Sequence, residues 1–225
     1  MKNWIIIGIM ALLPGITLAA PCPNSHCSKQ SKDLMRLCLK NGLPGKKIYF
    51  KVGSQYCWCK CSCFAEGTQI MTENGEVNVE DLIAGDLLYT PAGEAHIHQV
   101  LASPSEGDSV LVFELKNGRS LAVSTNHPMI LPGEVVVEAK HVKETDQLLG
   151  SNGEAIEIVN ITKKAYHGSL INFINEASAE SGRDRVIVAE GVQTGDWNIQ
   201  SYRDYLDSSV KLRELIFQIK ADHNK

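Results

Sequence analysis

Cysteine is missing from the whole of residues 64–225, although the 225-residue chain contains seven. All of them (Cys22, Cys27, Cys38, Cys57, Cys59, Cys61 and Cys63) crowd into one early segment. The downstream absence excludes a disulfide framework for the larger part of the chain, which must hold together by burying apolar surface. Beyond the first residues there is no apolar run approaching the roughly 20 residues needed to cross a bilayer. Positive charge is scarce too, with 22 Lys and Arg against 26 Asp and Glu and a net charge of -4. No Lys/Arg stripe is present to neutralise a phosphate backbone, so no nucleic-acid partner is expected. The arrangement of Ser, His and Asp that marks a protease acting on other proteins is also lacking.

What is there begins with a leader. Lys2, the apolar residues 4–13, the Pro14-Gly15 break and the small-residue end Thr17-Leu18-Ala19-Ala20 predict a secretory signal peptide over residues 1–19. Cleavage after Ala19 is favoured, because cleavage after Ala20 would set Pro21 directly behind the scissile bond. Export to an extracellular or periplasmic compartment makes disulfides the default state of the cysteine cluster, since residues 20–62 are too few to bury a stabilising core. The candidates are Cys22, Cys27, Cys38, Cys57, Cys59 and Cys61, and with seven cysteines one thiol is left over. A zinc site built from His26, Cys57, Cys59 and Cys61 is the competing reading. The C-x-C-x-C spacing does not match the usual C-x2-C knuckle, so no metal and no other cofactor is assigned.

From Thr68 onward short runs of Val, Ile and Leu are separated by Asn74-Gly75, Pro91-Ala92-Gly93, Asn117-Gly118, Pro132-Gly133 and Asn152-Gly153. This pattern predicts an all-β domain rich in hairpins, with single helical turns at 79–83 and 139–143. One constant offset aligns Leu82 with Val142, Asp86 with Asp146, Leu88 with Leu148, Gly93 with Gly153 and Glu94 with Glu154. The same offset brings Ser109, Val110, Leu111 and Phe113 onto Ser169, Leu170, Ile171 and Phe173, and after a short slip Gly118-Arg119 meets Gly182-Arg183. Two copies are too few for a solenoid, so one domain with internal pseudo-twofold symmetry is expected. After Gln200 the spacing of Tyr202, Leu206, Val210, Ile216 and Ile219, with Ser201 and Asp204 as a start signal, predicts a helix docked on that domain. The chain thus divides into a signal peptide (1–19), a cysteine-rich domain (20–62), a β domain (63–200) and a C-terminal helical tail (201–225).

The last cysteine stands where the cysteine-rich part meets the β domain, in Cys61-Ser62-Cys63-Phe64-Ala65-Glu66-Gly67-Thr68. A Cys-Phe start followed by x-x-G-T resembles the first block of the Hint domains of inteins and Hedgehog proteins. Leu121-Ala122-Val123-Ser124-Thr125-Asn126-His127-Pro128 resembles their second block, centred on T-x-x-H, and Val186-Ile187-Val188-Ala189-Glu190-Gly191-Val192 resembles the final strand and turn. The resemblance spans residues 63–200 and implies the all-β Hint fold. It also implies self-cleavage of the Ser62–Cys63 bond, with Cys63 as nucleophile on the Ser62 carbonyl.

That chemistry makes demands. A thiol with an ordinary pKa of about 8.5 needs a base or proton relay, and the amide must be strained or have its nitrogen protonated. By resemblance His127 hydrogen-bonds the scissile nitrogen and donates a proton to it. Ser124 replaces the usual Thr and its hydroxyl is able to make the same bond, while Thr125 completes the candidate set in that block. Asn172 falls where many inteins carry an acidic residue, and Asn cannot act as a base. Inteins end in His-Asn before Cys, Ser or Thr, but this chain reads Thr194-Gly195-Asp196-Trp197, so splicing is not expected. Asp196 is left with, at most, cleavage of its own peptide bond through an anhydride. His96 and His98 share a strand face and read as a polar surface rather than a metal site; His167 has no assigned role.

The expected activity is therefore a single-turnover N-to-S acyl shift in a secreted precursor whose substrate is its own N-terminal segment. Water or a small nucleophile resolves the thioester, formally a hydrolase reaction when it is water, and a cystine-rich peptide leaves for an unknown extracellular target. Hedgehog proteins use a sterol at this step, but the 201–225 tail is short for the region that guides it. The alternative is a non-cleaving secreted binding protein that uses the Hint domain as a scaffold, with Cys63 paired or inert. Cys57, Cys59, Cys61 and Cys63 alternate, so in an extended strand they share one face, and oxidation of Cys63 would block the reaction.

Overall fold

The computed structural model describes residues 20–21, 48–52, 55–59, 63–105, 107–176, 185–197, 199–200 and 210–212. The expected signal peptide, Ser62, His26 and the pairing of Cys22, Cys27, Cys38 and Cys61 lie outside these residues. Of the cysteine-rich segment, three strands are described: β1 (Ala20–Pro21), β2 (Ile48–Val52) and β3 (Gln55–Cys59). β2 and β3 form an antiparallel hairpin that carries Cys57 and Cys59, whose side chains are outside the described set.

The β domain opens with β4 (Phe64–Ala65), and the alternating apolar runs then fold into two similar halves. The first comprises β5 (Gln69–Thr72), β6 (Gly75–Asn78), a 3-10 turn at Val79–Asp81, β7 (Leu87–Thr90), β8 (Gly93–Pro104) and β9 (Asp108–Leu115). After β10 (Ser120–Ser124) comes the second: β11 (Pro128–Leu131), β12 (Val135–Glu138), a 3-10 turn at Ala139–His141, β13 (Gln147–Leu149), β14 (Ala155–Tyr166) and β15 (Ser169–Asn175). A hairpin of β16 (Val186–Ala189) and β17 (Val192–Gly195) completes the domain, and β18 (Val210–Lys211) follows.

The expected internal repeat is present, and its aligned residues do the same work twice. Asp86 accepts the Ile83 N–H and Asp146 accepts the Lys143 N–H, each at 2.8 Å, which closes the same loop after each 3-10 turn. Leu82 and Val142 are buried, as are Leu88 and Leu148. Gly93 and Gly153 both carry positive φ, the region in which a side chain strains the backbone. Gly182 and Arg183, the partners proposed for Gly118 and Arg119, lie outside the described residues. The halves exchange their long strands: β8 of the first pairs with β15 of the second, and β14 of the second pairs with β9 of the first. One curled sheet results, and its core holds Phe64, Phe113 and Phe173 with Ile70, Leu88, Leu121, Met129 and Leu148, all fully buried. Burying each such side chain contributes roughly 1.5–3 kcal/mol, which is how a domain with no cysteine after its first residue is held.

Of the expected C-terminal helix, residues 201–209 and 213–225 lie outside the described residues, and the part that is described departs from expectation. Trp197, Ile199 and Gln200 are already helical, ahead of the predicted start at Ser201. The cause is Asp196, whose Oδ1 accepts the Ile199 N–H at 2.9 Å while its carbonyl accepts the Gln200 N–H at 3.1 Å, the geometry of a helix N-cap. Val210, counted above on a helical face, is instead extended. β18 pairs with β12, setting Val210 opposite Val136, and Leu212 is buried with Ile130, Val136, Leu149, Val186 and Ile199. The open edge of β12 provides unpaired backbone groups that a helix could not satisfy.

β17 meets this helix at close range. A Cβ on Gly195 would lie 2.5 Å from Cγ2 of Ile199 and 2.9 Å from Cγ of Pro128. Gly195→Ala is therefore expected to lower the free energy of unfolding by about 1–3 kcal/mol through overpacking. Urea titration measures this, and an unshifted midpoint would show that the contact is not tight.

Candidate functional site

Cys63 is buried where the chain enters β4, and β4 runs between β10 and β15. The registers Val123↔Phe64 and Ile171↔Phe64, continued one residue back, set Ser124 and Asn172 on either side of Cys63. Ser124 donates its N–H to the Cys63 carbonyl at 2.9 Å. Cys63 donates its own N–H, the nitrogen of the Ser62–Cys63 bond, to Ser124 Oγ at 2.8 Å. Ordinary antiparallel pairing would send that N–H to a carbonyl. Here the Ser124 carbonyl is taken by the His127 N–H at 3.0 Å, in a turn that ends β10, and the hydroxyl replaces it.

The same turn fixes His127. The His127 carbonyl accepts the Ala139 N–H and the Thr125 carbonyl accepts the Lys140 N–H, both at 2.8 Å, so the loop is clamped to the second 3-10 turn. The imidazole is fully buried and packs on the Phe64 ring at a centroid distance of 4.3 Å. Neither ring nitrogen has a hydrogen-bond partner among the described residues. The expected bond from His127 to the scissile nitrogen is thus not made, and Ser124 holds that nitrogen instead. Burial away from any counter-charge lowers the His127 pKa from 6.5 to about 3, so the ring is neutral near pH 7.

On the other flank, Asn172 is fully buried. Its Oδ1 accepts the Phe173 N–H at 2.8 Å and its Nδ2 donates to Gln200 Oε1 at 3.4 Å. Cys63 itself is in a disulfide. All the other cysteines of the chain precede it, so its partner belongs to the cysteine-rich segment. The thiol left over by the odd count is therefore not Cys63 in this state.

Residues 62–104 match the family model of the Hint domain. The fold is similar to the crystal structure of the gp41-1 intein, with a TM-score of 0.52 and 16% identity over 61% of this chain and 100% of that one. It is equally similar to the solution structure of a bacterial intein-like domain from Clostridium thermocellum (TM-score 0.52, 19% identity, 61% of this chain and 99% of that one). The β domain has the Hint fold of inteins.

A DnaB intein from Synechocystis sp. PCC 6803 matches the same Hint fold with a TM-score of 0.51 and 12% identity, over 60% of this chain and 98% of that one. No curated protein sequence matches the chain. At the end of the Hint domain, Asp196 does not stand ready to cut its own bond. Its carboxylate caps the helix at Ile199, accepts the Asn175 N–H at 3.3 Å and lies 3.6 Å from the Arg185 guanidinium. Arg185 and Gln200 went unremarked in the sequence. An Asp before Trp197 and Ile199 is a helix-start signal that pointed to both the cap and Gln200. Elsewhere, His96 Nδ1 lies 3.1 Å from the Gly85 carbonyl and His98 lies 3.7 Å from Glu176 on the surface. Among the described residues no three His, Cys, Asp or Glu side chains converge as a metal site would require.

Because the folded His127 binds its proton only near pH 3 and an unfolded one near 6.5, the unfolded state holds more protons between those values. Stability is expected to fall as pH drops through that window. His127→Gln should unfold with a flatter dependence between pH 7 and pH 4, measured by urea titration at each pH; parallel slopes for the two proteins would contradict the burial argument.

Proposed function

We propose that the chain is a secreted precursor that cuts its own Ser62–Cys63 bond by an N-to-S acyl shift at Cys63. The observation that carries this reading is the hydrogen bond from the Cys63 N–H to Ser124 Oγ, because that nitrogen is the leaving group of the reaction. A hydroxyl accepting this bond orients the amide, and the neutral, unpartnered His127 ring beside Phe64 is able to carry a proton between the thiol and the nitrogen.

The first step is release of the nucleophile. An external thiolate attacks the disulfide at the partner sulfur, a mixed disulfide forms there and Cys63 leaves as a thiolate. Once the thiolate has taken a proton from water, its sulfur adds to the Ser62 carbonyl carbon, the C–N bond breaks, and the thiol proton passes through the His127 ring to the Cys63 nitrogen, giving a free amine and a thioester. Water or a small nucleophile then takes the acyl group and returns the Cys63 thiol. Residues 20–62 leave, provided the leader over 1–19 has been removed, and the Hint domain remains with Cys63 as its first residue. Thr194-Gly195-Asp196-Trp197 provides no Asn to cyclise and Asp196 is committed to its cap, so the pathway ends at this cleavage.

The second reading, a non-cleaving scaffold for a secreted binding protein, is favoured by the disulfide at Cys63, which occupies the required sulfur. Reductant separates the two. The full chain is expected to stay intact when oxidised and to be cut after reduction, whereas Cys63→Ala stays intact in both states. Ser124→Ala should cut about a hundredfold more slowly, having lost the acceptor on the scissile nitrogen. Gel and intact-mass analysis read all three, and a reduced wild-type chain that remains whole would favour the scaffold.

A further inference from the structure

Gln200 lies beyond the blocks that mark the Hint domain, in the first turn of the helix capped by Asp196, yet it is 1% exposed and reaches Asn172. The orientation of both carboxamides follows from one unambiguous donor. The Phe173 backbone N–H can only donate, so the Asn172 atom 2.8 Å from it is the oxygen. The nitrogen of Asn172 therefore faces Gln200, and Gln200 must present its oxygen in return. This leaves Gln200 Nε2 buried with no partner among the described residues. A buried donor without a partner costs about 1–3 kcal/mol. Turning the amide over would set two donors against each other and break the bond that Asn172 donates to Gln200. Gln200 keeps the costly orientation because Asn172 requires its oxygen.

We infer that Gln200 is a positioning residue for the Cys63 step: the Phe173 N–H holds the oxygen end of the Asn172 carboxamide, and Gln200 Oε1 accepts from its nitrogen end and restrains it beside the nucleophile. The inference rests on the self-cleavage reading above and names how an Asn serves at this place. Asn172 cannot take a proton, but an oriented amide nitrogen is a donor dipole for the negative charge that develops first on sulfur and then on the Ser62 carbonyl oxygen. Such a dipole helps only if its direction is fixed before the reaction. An Asn turned over presents an oxygen and repels the same charge. Asp196 belongs to the same device: its cap on Ile199 begins the helix that delivers Gln200, and Arg185 holds the carboxylate in place.

A double-mutant cycle on the full chain tests this, with cleavage started by reductant in excess hydroxylamine so that resolution of the thioester is not limiting. Gln200→Leu is expected to slow cleavage about tenfold in the wild-type background and to have no further effect in an Asn172→Ala background. Urea unfolding of each variant identifies the folded chains, and a merely structural Gln200 would slow both backgrounds by the same factor. Equal slowing in both backgrounds, or a Gln200→Leu chain that cleaves at the wild-type rate, overturns the inference while leaving self-cleavage standing. A reduced wild-type chain that is never cut overturns the self-cleavage reading and this inference with it.

Discussion

The site depends on where a two-residue strand is held. β4 contributes only Phe64 and Ala65 to the sheet, but it is paired on both edges, by β10 and by β15, so Cys63 at its entrance has no freedom of register. A slip of one residue would turn Phe64 out of the core and move the scissile nitrogen off Ser124. The duplicated architecture makes this placement possible. Exchange of β8 and β14 between halves brings β15 of the second half beside β4, and the turn that ends β10 brings in Ser124 and His127 from the junction between the halves.

The chemistry of the site is that of polar groups kept dry. His127 has neither a counter-charge nor a hydrogen-bond partner among the described residues, and it packs at a tilt against Phe64. Such a ring lowers the stability of the fold in acid, as buried basic groups do, and in return it is neutral at the pH where a thiol must lose its proton. Asn172 and Gln200 extend the same logic to the other side of Cys63, with neutral amides where a carboxylate would need its own compensation. The disulfide at Cys63 sets the cysteine-rich segment in opposition to this machinery, since one sulfur cannot be both cross-link and nucleophile.

Much of this was legible in the residues. The repeat was readable because Asp86 and Asp146 make local loop-closing bonds, which leave a fixed sequence mark, and because Leu88 and Leu148 are equivalent core positions. Cys63, Ser124 and His127 were readable because short blocks carry them. The partner of the scissile nitrogen was not, since T-x-x-H spacing serves a hydroxyl or an imidazole equally and the turn geometry decides between them. The start of the last helix and the place of Val210 were misread for a related reason. Ser201 and Asp204 form a plausible start signal, but Asp196 caps earlier, and Val210 follows the open edge of β12 rather than its own periodicity. Tertiary context outranked local pattern at both places. Gln200 escaped notice because the signal that places it is the Asp196 cap and not the Gln itself.

The claim that Cys63 forms a thioester with Ser62 is tested most directly by the mass of the fragment that hydroxylamine releases from the reduced full chain. The account predicts an N-terminal fragment ending at Ser62 as its hydroxamate, together with a Hint domain that begins at Cys63. A fragment ending at any other residue, or one ending at Ser62 as the free acid however much hydroxylamine is present, would contradict it.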